Sequence, residues 1–352
     1  MDIRHTFPRE RTELKMDPVS RVDVYVSGEN GYHTYRIPSL LRTKNGQLLA
    51  FCEGRRNSRA DDGDIDLLLK RSADGGATWS PQQVVYGEDG DITIGNPCPV
   101  VDRETGRICM LFCRNNDDVL VTFSDDEGLT WAEPVDITSQ VKPDDWKWYA
   151  TGPGVGIQLA SGRLLIPCDH NRKDGVRGSH TIYSDDGGKT WSVSESIEPG
   201  PDECQVVELR DGRVMLNARM QTEPRGFRAV TVSDDGGETW ADFRIDKQLP
   251  EPTCQASFVA VVGKDPDGPV ELFFCNPATQ DSRTTLTVKR SSDEGETWSS
   301  GRVIQSGHAA YSCLSIIGNG ELACLYETGD ENAYEKIEIC RFPIEWLAEG
   351  EA

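Results

Sequence analysis

One eight-residue pattern, S-x-D-x-G-x-T-W, occurs five times and constrains this chain more than any other feature. The copies are "SADGGATW" (Ser72 to Trp79), "SDDEGLTW" (Ser124 to Trp131), "SDDGGKTW" (Ser184 to Trp191), "SDDGGETW" (Ser233 to Trp240) and "SSDEGETW" (Ser291 to Trp298). Their starts lie 49 to 60 residues apart, a period that belongs to solenoids and propellers. In each copy the Ser and Asp can bond the turn backbone and the Gly can take positive φ. The Trp can pack under the adjacent strand. Turn-building is therefore the expected role, and five acids in five turns are not read as metal sites. "DDGDID" (Asp61 to Asp66) mimics the start of a calcium loop, but Leu67 replaces the required Gly and Ala73 the closing Glu.

The segments between the copies read as strands. "DIDLLLKR", "VLVTF", "HTIYS", "FRAVTV" and "TLTVKR" precede the five turns and are short, β-branched or aromatic, and partly alternating. "GQLLAFCEG", "GRICMLFCR", "GRLLIPCDH", "GRVMLNARM" and "GELACLYET" each begin just after a glycine turn. That gives about four strands per unit and almost no helical periodicity. The class is all-β, and a β-propeller is the economical architecture.

Composition removes several function classes. The formal net charge of −22 argues against sequence-independent nucleic-acid binding, which needs basic surface to release counterions. An acidic protein acting on an anion needs a local cationic site, so arginine clusters matter. No apolar run approaches the ~20 residues of a membrane span. The start, "MDIRHTFPRERTELKMDP", lacks the apolar stretch of a secretory signal. Eleven cysteines are scattered singly, unlike a disulfide framework. Cys109 and Cys113 in "CMLFC" read as two strand thiols on one face and not as a zinc pair. These features favour a cytoplasmic location, with no metal and no cofactor.

The repeat resembles the Asp box (BNR repeat) of the sialidase, or neuraminidase, superfamily. That resemblance implies a six-bladed β-propeller of four-stranded antiparallel blades, one blade being assembled from both chain ends. It covers about residues 20 to 346, so residues 1–18 are expected to be an N-terminal arm and 19–348 a single catalytic domain. Further stretches carry the likeness. "YRIPSLL" is similar to the first-arginine segment and implies Arg36 as a carboxylate ligand. "CEGRRNSRADDGDID" implies Arg55 as a supporting arginine and Asp61 as acid/base, with Asp62 as the alternative. "PDECQVVELRDGRVMLNAR" implies Glu203 as the activating carboxylate and Arg219 as the second arginine. "DSRTTLTVKRS" implies Arg283 as the third, "GHAAYSCL" implies Tyr311 as nucleophile, and "CLYE" implies Glu327 as the brace of Arg36. Two departures stand out. Val155 occupies a position where the family often has His, and Asp169, His170 and Asn171 in "PCDHNRKDG" stand where some members place tyrosines around the sugar's glycerol tail.

Chemistry explains why such residues belong together. A sialoside carries a carboxylate on its anomeric carbon, and three guanidiniums are planar, permanently charged forks for holding it. That carboxylate would repel an Asp or Glu nucleophile, whereas a phenol deprotonated by a neighbouring carboxylate avoids the repulsion. Sialidases with a tyrosine nucleophile are a recognised exception to the two-carboxylate rule of glycosidases. The resemblance therefore implies a retaining exo-α-sialidase acting on sialylated oligosaccharides, glycoproteins and gangliosides. Two alternatives stay open. One is a hydrolase of a related 2-keto sugar acid, deaminated neuraminic or octulosonic; the other is a sialic-acid-binding propeller without turnover.

Overall fold

A computed structural model describes residues 19–262, 268, 270–318 and 320–348; the arm expected over residues 1–18 lies outside them. The all-β expectation holds, and the described helices are two short ones, Thr138–Val141 and Ile344–Ala348. Neither is long and apolar enough to cross a membrane.

The strands form five antiparallel sheets. The first comprises Thr34–Arg42, Leu48–Arg55, Ile65–Ser72 and Gln83–Tyr86. The second comprises Ile94–Val101, Ile108–Arg114, Asp118–Ser124 and Val135–Asp136. The third runs Trp146–Thr151, Leu164–Arg172, Arg177–Ser184 and Ser192–Val193, with Ile157–Gln158 paired beside the second of these. The fourth comprises Pro201–Glu208, Val214–Met220, Phe227–Ser233 and Ala241–Pro250. The fifth has seven strands, in the order Ser20–Val26, Lys336–Pro343, Glu321–Gly329, Arg302–Gly318, Thr284–Ser291, Val270–Pro277, Ser257–Val262. Its long strand Arg302–Gly318 pairs with Thr284–Ser291 through its first half and with Glu321–Gly329 through its second. Two four-strand arrays thus share one strand instead of standing as separate sheets. The first strand of the described chain, Ser20–Val26, closes the far edge of this sheet against Lys336–Pro343.

Apolar clusters join the sheets in series. Leu49, Phe51, Ile94 and Met110 lie between the first and second, and Leu111, Val121, Tyr149 and Ile166 between the second and third. Leu165, Val206 and Leu216 link the third to the fourth, and Met215, Phe258 and Phe274 link the fourth to the fifth. Tyr25, Leu48, Leu325 and Ile339 then bring the end of the fifth sheet against the first.

Each S-x-D-x-G-x-T-W copy connects the third and fourth strands of its unit. In the copy at Ser72 the Ser Oγ bonds Asp74 and accepts the Gly76 N–H, while Asp74 takes the Thr78 N–H at 2.9 Å and its hydroxyl at 2.6 Å. The same bonds recur in the other four turns. Each Asp is thus consumed by its own turn. The tryptophans reach further than the local packing expected of them and contact the preceding sheet. Trp131 meets Phe51 edge-on at 5.8 Å, and Trp298 donates Nε1–H to Asp246 at 3.2 Å. Trp79 packs in the cluster that joins the first sheet to the last.

Candidate active site

Strands of all five sheets meet around one cleft, and four of them bulge there. Register shifts fall between Arg36 and Ser39, Gly95 and Cys98, Pro201 and Cys204, and Ala309 and Ser312. A bulge inserts an unpaired residue and re-aims its side chain. Arg36, Glu203 and Tyr311 all sit at or inside these irregularities. In the first, Ile37 adopts φ 59°, unfavourable for a β-branched residue, and its N–H is held by Glu327 Oε1 at 2.9 Å.

Glu327 is completely buried and organises two sequence-predicted residues at once. Its Oε1 also accepts Arg36 Nε at 2.6 Å, and its Oε2 accepts the Tyr311 N–H at 3.1 Å. The Tyr311 hydroxyl donates to Glu203 Oε1 and accepts from Arg219 Nη1 at 3.2 Å. Arg36 and Arg283 lie 5.2 Å and 5.4 Å from the centre of the Tyr311 ring. The three arginines therefore converge on one tyrosine from three separate stretches of the chain. Burial pushes the Tyr311 hydroxyl well above its ordinary pKa, and the facing Glu203 adds to this against Arg219 and Arg283. Burial likewise raises the Glu203 carboxyl; Arg219, 2.8 Å from Oε2, opposes the effect and Asp202 reinforces it.

Asp61 and Arg55 meet on the other side of the cleft. Arg55 is fixed by Glu53 through Nε at 3.0 Å and Nη2 at 2.6 Å, and its Nη1 donates to Asp61 Oδ1 at 2.6 Å. The same Nη1 donates to the Arg59 and Ala60 carbonyls, tying down the loop that carries Asp61. The Asp61 side chain is 85% exposed and 3.6 Å from Arg36. Burial of its surroundings raises its pKa, but Arg55, Arg36 and Arg283 outweigh that and hold it below the ordinary carboxylate value. Asp62 lines the same cleft without joining these ion pairs.

All eight sequence-predicted residues thus border one cleft of about 650 Å³, except Glu327, which lies beneath it. Three further participants escaped sequence reasoning. Asp202 grips Arg219 with two bonds of 2.7 Å, leaving one edge of the guanidinium for the cleft. Glu53 accepts the Asn96 N–H at 2.9 Å, so close to Gly95 that a Cβ there would meet its Oε1 at 2.4 Å. The Tyr334 hydroxyl accepts Arg283 Nη1 at 2.9 Å, while its ring lies 4.3 Å from Arg36. Asp169, singled out in the sequence as a departure from the family pattern, lies buried in the wall formed by the third sheet. Glu53 and Asp202 adjoin recognised residues in sequence, a usable signal; Tyr334 has none.

The five turns and the strands between them define a repeat class, and the family model described as "BNR repeat-like domain" matches residues 46–324. The chain is 36% identical to a sialidase of Micromonospora viridifaciens across 92% of its own length and 54% of that protein. It is 33% identical to an exo-alpha-sialidase of Aspergillus fumigatus, with 91% and 86% covered. Among solved structures, a Hadza microbial sialidase superposes with a TM-score of 0.85 at 30% identity, over 93% of this chain and 69% of that one. The chain belongs to the sialidase family of BNR-repeat proteins. It spans about half the length of the Micromonospora relative.

Proposed function

We propose that this chain is a retaining exo-α-sialidase built as a six-bladed β-propeller, with Tyr311 as nucleophile. Six units are supported by the four separate sheets together with the two arrays that share strand Arg302–Gly318, and by the apolar clusters that lead from the last array back to the first. The observation that carries the activity is the Tyr311–Glu203 hydrogen bond under three arginines. A binding propeller has no use for a phenol paired with a base.

In this reading the substrate carboxylate takes the open edges of Arg36, Arg219 and Arg283. Glu203 receives the Tyr311 proton as the oxygen attacks the anomeric carbon, and Arg219 steadies the charge that moves between them. Asp61 protonates the leaving oxygen, then activates water for the second displacement. An unprotonated Asp61 is a poor acid, but its pKa is depressed by arginines whose charge the arriving carboxylate offsets. Substrate binding therefore raises the Asp61 pKa toward its task. The partners are sialylated oligosaccharides, glycoproteins and gangliosides. A second reading, hydrolysis of deaminated neuraminic or octulosonic acid glycosides, is favoured by the departure at Asp169 and Asn171, since the arginines read only the carboxylate. The eleven buried free thiols support a reducing, cytoplasmic setting, which fractionation of cells making the full-length protein would test.

Time-resolved NMR of sialyllactose cleavage tests the mechanism. Release of the α-anomer first is expected, and first release of the β-anomer refutes a tyrosyl intermediate. Tyr311→Phe should abolish nearly all turnover while retaining inhibitor binding and thermal stability; near-normal activity would mean that another group attacks.

A further inference from the structure

Two of the three arginines around Tyr311 are gripped by carboxylates, Arg36 by Glu327 and Arg219 by Asp202. Arg283 is held differently. Its Nη2 donates to the Thr253 carbonyl at 3.0 Å and its Nη1 to the Tyr334 hydroxyl at 2.9 Å. Both acceptors are neutral, and Thr253 sits on the loop between strands Ala241–Pro250 and Ser257–Val262. The place of Arg283 in the cleft therefore depends on what fixes this loop. Thr253 takes φ 54°, a left-handed conformation unfavourable for a β-branched residue, so neighbours have to hold it there.

The holding groups are Arg228 and Glu251, an ion pair 3.0 Å apart whose side chains are both wholly buried. Arg228 donates Nη1 to the carbonyl of Cys254, the residue after Thr253, at 3.0 Å. The rest of its guanidinium is anchored on strand Val214–Met220. Nε donates to Asn217 Oδ1 at 2.7 Å, and Nη2 to the Asn217 carbonyl at 3.3 Å. Glu251 returns to the same strand and accepts the Met220 N–H at 2.7 Å. Pairing of that strand with Phe227–Ser233 ends at Ala218 and Ala229, and Glu251 supplies an acceptor beyond it. The loop is thus pinned at positions 251 and 254 to the strand that carries Arg219. A buried ion pair adds little stability over apolar residues of similar volume. One planar fork meeting four acceptors fixes geometry instead.

We infer that Arg228 and Glu251 are positioning residues that set Arg283 relative to Arg219, and with it the fit of the substrate carboxylate. The inference rests on the sialidase reading above for what Arg283 binds. Neither residue lines the cleft, so their effect on the ligand passes through Arg283.

Cys254 also packs in one cluster with Tyr311, which makes ligand binding a cleaner readout than turnover. The test is a double-mutant cycle on the dissociation constant of the 2,3-dehydro derivative of N-acetylneuraminic acid, measured by calorimetry. Arg228→Lys keeps the charge, but one ammonium cannot meet all four acceptors. It should weaken binding about 10- to 100-fold in the otherwise wild-type protein, the scale set by a misplacement of about 1 Å. In an Arg283→Lys background, where the fork at that position is already gone, the same change should cost about threefold or less. In an Arg36→Lys background it should keep its full factor. A merely structural role weakens binding equally in all three backgrounds, and that result would overturn the inference. If Arg228→Lys does not fold, Glu251→Gln takes its place in the cycle with the same expectations. If the wild type neither cleaves sialosides nor binds the dehydro acid, the sialidase reading fails by itself. A crystal structure of the variant then decides the positioning. Loss of the bond between Arg283 and the Thr253 carbonyl is expected, and an unmoved Arg283 would overturn it.

Discussion

Glu327→Gln is the sharpest probe of how this site is held together. The substitution keeps volume and replaces one carboxylate oxygen by NH₂. Both oxygens now face donors: Oε1 takes Arg36 Nε at 2.6 Å and the Ile37 N–H at 2.9 Å, and Oε2 takes the Tyr311 N–H at 3.1 Å. The amide can keep its oxygen on the side with two bonds, but its NH₂ then opposes the Tyr311 N–H. A buried N–H left without an acceptor costs about 1–3 kcal/mol, and breaking a buried ion pair about 3–5 kcal/mol. Because the amide oxygen still accepts from Arg36, a total of about 3–5 kcal/mol is expected. For a chain of 352 residues, 1 kcal/mol corresponds to about 1.4 °C in Tm. Calorimetry should therefore register a drop of about 4–7 °C. The larger effect falls on chemistry, since a displaced Tyr311 backbone moves the phenol from its attack position, and misplacement by about 1 Å costs about 10²-fold. Steady-state kinetics on a fluorogenic sialoside should show kcat reduced by about that factor. A variant with wild-type Tm and kcat would refute the idea that one carboxylate sets both Arg36 and Tyr311.

Asp61→Ala should slow natural sialosides by about 10²–10⁴-fold and phenyl-type substrates far less in the first step, with azide restoring their second. Equal damage to both substrate types, without azide rescue, would reduce Asp61 to a partner of Arg55. Trp131→Ala should destabilise by about 2–3 kcal/mol, below the range for a fully buried ring because this one is half-buried, with KM unchanged; urea titration and kinetics on the same sample decide it. His170 is pushed down to about 4, chiefly by burial and against the pull of Glu198. The unfolded chain takes up this proton near pH 6.5 and the folded one only near 4, so the stabilisation is complete above 6.5 and lost as pH falls through that window. The difference amounts to at most about 3 kcal/mol. His170→Gln should flatten the urea midpoint between pH 6.5 and 4 relative to wild type, and parallel curves would show that His170 does not titrate there.

Sequence alone determined whatever is local. Each S-x-D-x-G-x-T-W turn is made by bonds spanning two to four residues, so its geometry is written in eight letters, and the strand runs on either side follow from residue type and alternation. The likeness of whole segments also marked all eight expected site residues. Tertiary structure decided what depends on distant contacts. Glu327 lies 291 positions from the Arg36 it braces, and Tyr334 meets Arg283 and Arg36 only because two strand ends converge. The bulges at Arg36, Glu203 and Tyr311 leave no local mark, since Ile37 holds φ 59° only while Glu327 grips its N–H. Strand Arg302–Gly318 fuses two arrays into one seven-stranded sheet because it pairs with a different neighbour on each half, a property of pairing and not of composition. Asp169 reads in sequence only as a departure from the family pattern. Only burial beside Asp202 and Glu203, where water cannot solvate a further charge, makes it a neutral wall of the cleft.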